Sequence, residues 1–197
     1  MPRRWLPNAI TVARIVLVPV WGVLAELSRR GFDVATPEPY RSWSAAVLLA
    51  IGVSDLADGW LARRFGLATR TGATLDAIAD KLAQVCLLTF FTLRGAPAYT
   101  AIPLWFLVLV FARDVLLLAG YVALKRRRGT VRVVHRAHGK ASSVVLFGLL
   151  VWINLGGGPD PVTWVVPGVA VLVALSTFAY LREGWRQART PPSAVAR

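Results

Sequence analysis

The sequence predicts an all-α membrane protein, six transmembrane helices in one bundle with both termini in the cytoplasm. Three observations carry that prediction. Of 197 residues, 56% are hydrophobic and only 17% charged, and the mean hydropathy is +0.56. That is more apolar surface than one soluble core of this length can hide. Apolar stretches of about 17–25 residues, the length that crosses a bilayer, recur along the chain. The basic residues between them fall on alternate connections, as they do in multi-pass proteins.

The first span is expected near residues 8–28. Arg3 and Arg4 precede it, as in a signal peptide, but Arg14 interrupts its apolar run and no small-x-small cleavage site follows. The second and third spans, near 43–63 and 73–93, are separated from the first by Thr36-Pro37-Glu38-Pro39. Gly95-Ala96-Pro97 leads into the fourth, near 98–124, and Gly129-Thr130 follows it. The fifth, 141–156, is short and runs into Gly156-Gly157-Gly158-Pro159; the sixth is expected over 162–182. Residues 1–189 thus read as one six-helix transmembrane domain, with 190–197 (Thr190-Pro191-Pro192-Ser193 onward) a disordered tail.

Sixteen Lys and Arg lie on the N-terminal tail, the second and fourth connections and the C-terminal tail. Only Arg29, Arg30, Arg41 and Arg94 lie on the opposite side, and Arg14, Lys81 and Arg113 fall inside spans. This asymmetry puts both termini inside. It also explains the net charge of +13 by loops facing anionic lipid, so nucleic acid is not an expected partner. The eight tryptophans lie mostly near span ends, as an interfacial belt would place them. The single cysteine, Cys86, cannot make an internal disulfide.

Five acids, Asp55, Asp58, Asp76, Asp80 and Asp114, lie inside or at the edges of spans. A charge at the bilayer centre costs at least about 2.5–3.5 kcal/mol, so such acids face a cavity, pair, or bind a cation. Asp55 and Asp58 are three apart and Asp76 and Asp80 four apart, so each pair shares a helix face. The two helices form a hairpin that can gather four carboxylates near the cytoplasmic surface. Carboxylate oxygens suit Mg²⁺ or Mn²⁺, and without His or Cys at ligand spacing zinc is not expected. Two other readings are salt bridges to Arg63, Arg64, Lys81 or Arg113, and the acid path of a cation-coupled transporter.

With its small residues the segment reads Asp55-x-x-Asp58-Gly59-x-x-Ala62-Arg63, eight residues, then Gly72-x-x-x-Asp76-x-x-x-Asp80. It resembles, at every defined position, the signature of the CDP-alcohol phosphatidyltransferases. Pro7-Asn8-x-x-Thr11-x-x-Arg14 is similar to the start of the first span in bacterial members. Arg113-Asp114 and Gly139-Lys140 are similar to phosphatidylglycerophosphate synthases. The resemblance covers nearly the whole chain. It implies that family's bundle and transfer of a phosphatidyl group from CDP-diacylglycerol to an alcohol, with release of CMP.

The resemblance also implies roles. Asp55, Asp58, Asp76 and Asp80 would hold two Mg²⁺ or Mn²⁺ ions, and Asp80 would also take the acceptor's proton. Asn8, Asp58, Gly59, Ala62, Arg63, Thr69 and Gly72 would line the nucleotide. Physically, Gly59 and Gly72 allow close approach of a ligand or of another helix, and Arg63 can meet a diphosphate or serve as a positive-inside residue. For the acceptor, glycerol 3-phosphate is expected, with Arg113, Arg126 and Lys140 as its cations. One departure bears on this: Gly139-Lys140-Ala141-Ser142-Ser143 lacks the second lysine common in phosphatidylglycerophosphate synthases. A Gly-Lys-x-x-Ser ending is similar to the cardiolipin synthases, whose acceptor is phosphatidylglycerol. Inositol phosphate or serine acceptors are further same-family alternatives. The resemblance further implies a homodimer in the inner membrane, its site open to the cytoplasm.

Overall fold

The computed structural model describes residues 6–32, 39–65, 70–128 and 137–189. Among them all regular structure is α-helical: α1 (Leu6–Phe32), α2 (Pro39–Arg64), α3 (Arg70–Leu93), α4 (Leu104–Arg128), α5 (Ala137–Asn154) and α6 (Asp160–Arg189). Among the described residues three helical stretches are long and apolar enough to cross a membrane, Ala9–Gly31, Leu104–Arg126 and Asp160–Arg186; Ser142–Asn154 is a shorter apolar one. The expected tail, 190–197, lies outside the described residues.

Two compact units form. The first holds residues 1–102 and 147–159, the second 103–146 and 160–197. In the first, α1 packs on both α2 and α3. Its buried stripe is Thr11, Arg14, Val18, Trp21, Ala25 and Ser28, alternating three- and four-residue steps that keep one helix face toward its neighbours. The stripe on the other side, Val12, Val16, Val20, Val23 and Leu27, is apolar and exposed. Polar residues inside and apolar residues outside are the reverse of a soluble helix, and the order a lipid-facing helix needs. On α2 the buried residues are Ser44, Leu48 and Ile51, and on α3 Ala79, Ala83, Leu87 and Phe91.

Trp21 is 1% exposed and belongs to this core. Its ring meets Phe90 edge-on at 5.2 Å, and its Nε1 donates to Asn154 Oδ1 at 3.0 Å. Trp21 is therefore no belt residue, unlike the exposed Trp43, Trp105, Trp164 and Trp185. The Asn154 Nδ2 donates on to Ser44 Oγ at 2.9 Å, so one buried amide ties α1, α2 and the end of α5. Toward the C-terminal end of α1, Glu26 gathers Arg29 (2.8 Å), Arg30 (3.1 Å) and Arg94 (2.8 Å).

The fourth span was expected from residue 98, but α4 begins at Leu104. Pro97 and Pro103 bracket a non-helical segment whose Ala98, Tyr99 and Ile102 are buried. Its apolarity is that of a packed connection, with backbone bonds back to α3 from Ile102 N to Phe91 O (3.1 Å). α5 stops at Asn154 because Gly156 takes a φ of +89° and Gly157 N closes on Trp152 O at 2.9 Å, a glycine-terminated helix end. In the second unit α4 packs on α6, whose buried residues Val162, Val166, Val169, Val173 and Ser176 repeat the same alternating step.

Candidate active site

The carboxylates extend the buried stripes of their helices. On α2 the series Ser44, Leu48, Ile51 continues to Asp55 by alternating steps of four and three. On α3 the series Phe91, Leu87, Ala83 runs back to Asp80 and Asp76. α2 and α3, both packed on α1, thereby deliver Asp55, Asp76 and Asp80 to one place, and each offers an oxygen within 4.8 Å of the others. Their side chains are 45%, 39% and 52% exposed, so the cluster is open on one side. Converging hard oxygen donors from three aspartates fit a divalent cation of the Mg²⁺ or Mn²⁺ kind.

On its closed side lies Arg14, 1% exposed. Its Nη1 is 3.0 Å from Asp55 Oδ1, 3.0 Å from Asp76 Oδ1 and 2.6 Å from Asp80 Oδ1. Its Nε donates to Ser54 Oγ at 3.3 Å, and Ser54 Oγ donates to Ile51 O at 2.7 Å. Among the described side chains the base at the focus of the cluster is Arg14, while of the four bases expected from the sequence, Arg63, Arg64, Lys81 and Arg113, the side chain of Arg63 lies outside the described residues. Of these, Lys81 Nζ donates to Gln84 Oε1 at 2.9 Å, and Arg113 Nη1 pairs with Asp114 Oδ1 at 3.2 Å. A signal for Arg14 was present: it is an embedded base four residues before Val18 and seven before Trp21 in the three–four alternation.

Other expected site residues are placed less fully. Gly72 lies one turn before Asp76 on α3. Asp58, Gly59, Ala62 and Arg63 follow Asp55 along α2 and Asn8 lies in the first turns of α1, but their side chains are outside the described residues. Thr69 is outside them altogether, and Lys140 belongs to α5 with its side chain undescribed. Arg113 and Arg126 stand on α4 in the second unit, Arg113 half-buried with its Nε lacking a hydrogen-bond partner, Arg126 exposed.

Comparisons with known proteins agree with the motif. Residues 4–177 match the sequence pattern of the CDP-alcohol phosphatidyltransferases. A Mycobacterium tuberculosis protein with a provisional cardiolipin synthase name is 34% identical over 146 residues, 74% of this chain. That match spans only 61% of the relative's own length. A cardiolipin synthase (CMP-forming) of Streptomyces coelicolor is 30% identical over 91% of this chain and 74% of its own. A CDP-diacylglycerol–glycerol-3-phosphate 3-phosphatidyltransferase of Pseudomonas fluorescens is 28% identical over 94% of this chain and 92% of its own. With the signature complete and the match running over most of its length, this chain belongs to the CDP-alcohol phosphatidyltransferase family.

Proposed function

We propose that the protein transfers a phosphatidyl group from CDP-diacylglycerol to a glycerol hydroxyl and releases CMP. The observation that carries this reading is the convergence of Asp55, Asp76 and Asp80 on one open-sided cluster inside the family signature. Two Mg²⁺ or Mn²⁺ ions held by these residues and Asp58 would neutralise the diphosphate and stabilise the leaving CMP. Asp80, the most exposed of the three, takes the proton as the acceptor oxygen bonds to the phosphorus and the bond to CMP breaks. Asn8, Gly59, Ala62, Arg63, Thr69 and Gly72 line the cytidine diphosphate, the small residues admitting it and Arg63 meeting its charge.

The chain is a multi-pass protein of the cytoplasmic membrane, with its site toward the cytoplasm. The exposed apolar stripe of α1, the three long apolar stretches and the charge asymmetry of the connections support this. The diacylglycerol tails then stay in lipid while nucleotide and acceptor meet the carboxylates from the water side.

For the acceptor we take glycerol 3-phosphate, whose dianionic phosphate suits Arg113, Arg126 and Lys140. A second reading, phosphatidylglycerol, is favoured by the missing second lysine after Lys140 and by the cardiolipin synthase names of relatives. Purified protein in detergent, given CDP-diacylglycerol, Mg²⁺ and each acceptor separately, should release CMP with glycerol 3-phosphate. Release with phosphatidylglycerol alone moves the assignment to cardiolipin synthesis. No release with any acceptor, under Mg²⁺ or Mn²⁺, refutes the transferase reading.

A further inference from the structure

The contact between Arg14 and the carboxylates has an unusual form. Arginine usually meets a carboxylate through two parallel N–H bonds, fork to fork. Here one nitrogen, Nη1, faces an oxygen from each of three aspartates at 2.6–3.0 Å. That nitrogen carries two hydrogens, so three oxygens cannot each receive one of their own. The arrangement is that of a point cation at the focus of converging anions. A divalent ion would draw on oxygens of the same three carboxylates.

We propose that Arg14 is an internal counter-cation of the aspartate cluster, and that a divalent cation binds by displacing its Nη1 from the focus. This rests on the metal-holding role proposed above for the same residues. Two positive charges cannot share that focus: repulsion between unit charges a few ångströms apart is several kcal/mol even at an effective dielectric of about 20. Arg14 therefore holds the carboxylates together when no cation is bound, and lowers their affinity for one. Its buried position prevents it from escaping to water. Ser54 Oγ, already bonded to Nε, keeps the displaced guanidinium anchored beside the site.

The test is Mn²⁺ titration of the full-length protein in detergent, following free Mn²⁺ by electron paramagnetic resonance and thermal midpoints in parallel. Wild type, Arg14→Gln and Arg14→Lys are compared. Arg14→Gln should have a lower midpoint in EDTA than wild type. It should reach half-saturation at a Mn²⁺ concentration at least about fivefold lower, because the competing state is removed. Arg14→Lys keeps the charge on a shorter-reaching, compact head, so it should fold in EDTA and bind Mn²⁺ between the two. Should Arg14→Gln fail to fold in EDTA, the lysine variant against wild type decides the same question. Unchanged or weaker Mn²⁺ binding in the variants overturns the proposal and makes Arg14 an orienting residue. Absence of saturable Mn²⁺ binding in wild type overturns instead the metal-holding role on which it rests.

Discussion

At the scale of single residues, the site is a balance of like charges held close. Three carboxylates within 4.8 Å repel one another, and the protein accepts that because Arg14 opposes them on the closed side while the other side stays open. Within the cluster Asp80 has the nearest approach to Arg14, 2.6 Å, and the most exposed side chain, 52%. It is anchored and reachable at once, as a proton acceptor must be. Asp80→Asn keeps the shape and removes the charge. CMP release should then fall by about 10²–10⁴-fold, the usual range for a lost general base. The thermal midpoint should change little, since Arg14 keeps Asp55 and Asp76 as partners. The comparison of turnover with differential scanning fluorimetry checks it: retained turnover with a collapsed midpoint would make Asp80 a structural counter-ion only.

At the scale of elements, the site depends on three helices holding a common depth. Arg14 is eight residues into α1, Asp55 nine residues from the end of α2, and Asp80 ten residues into α3. At 1.5 Å per residue all three sit about 12–15 Å along their helices from the same end of the hairpin series. The common depth of the aspartates on α2 and α3 was legible in the sequence, because polar residues at helical spacing inside apolar runs have few explanations. The partner of the cluster was harder to see. Pairing depends on which face of α1 turns inward, and α1 is apolar on its outer face as well, so hydropathy does not mark the packed side. The same ambiguity hid Trp21, which reads as an interfacial aromatic until its N–H is seen bonded to Asn154. The start of α4 was misjudged for a related reason: a buried connection and a membrane span are equally apolar. The Trp21–Asn154–Ser44 chain is what fixes the facing of α1 against α2 and the end of α5. Asn154→Ala leaves a fully buried indole N–H without its acceptor and should cost about 1–3 kcal/mol. Trp21→Phe combined with Asn154→Ala should cost less than the two single changes summed, as residues sharing one bond do. Strict additivity in detergent unfolding would mean that the bond contributes nothing to the packing of these helices.

At the scale of the whole molecule, the number of helices that cross the bilayer decides which side the carboxylates face, and the chemistry depends on that side. α1, α4 and α6 are apolar over a full span, whereas α2 and α3 carry the aspartates and the apolar part of α5 is Ser142–Asn154. Thirteen residues of helix reach about 20 Å, short of a hydrocarbon core of about 30 Å, so α5 needs its first turns as well. If only α1, α4 and α6 crossed, the α2–α3 connection would lie outside and the α5–α6 connection inside. If all six cross, the two are exchanged. Charge decides between these arrangements. A three-span chain would expose Arg63, Arg64 and Arg70 and the C-terminal arginines on the outer face, against the positive-inside bias. A six-span chain leaves Arg29, Arg30, Arg41 and Arg94 outside, and three of these four converge on Glu26, which offsets part of their charge. Six spans are therefore expected, with the cluster opening to the cytoplasm. Replacing the exposed Cys86 by serine gives a cysteine-free background. In it, Gly158→Cys, at an exposed position where an added side chain meets nothing within 4 Å, should react with a membrane-impermeant maleimide on intact spheroplasts. Leu67→Cys, in the α2–α3 connection, should react only after permeabilisation. The reverse pattern would place the aspartates on the outer face, away from the cytoplasmic nucleotide pool, and would remove the six-span reading together with the cytoplasmic site.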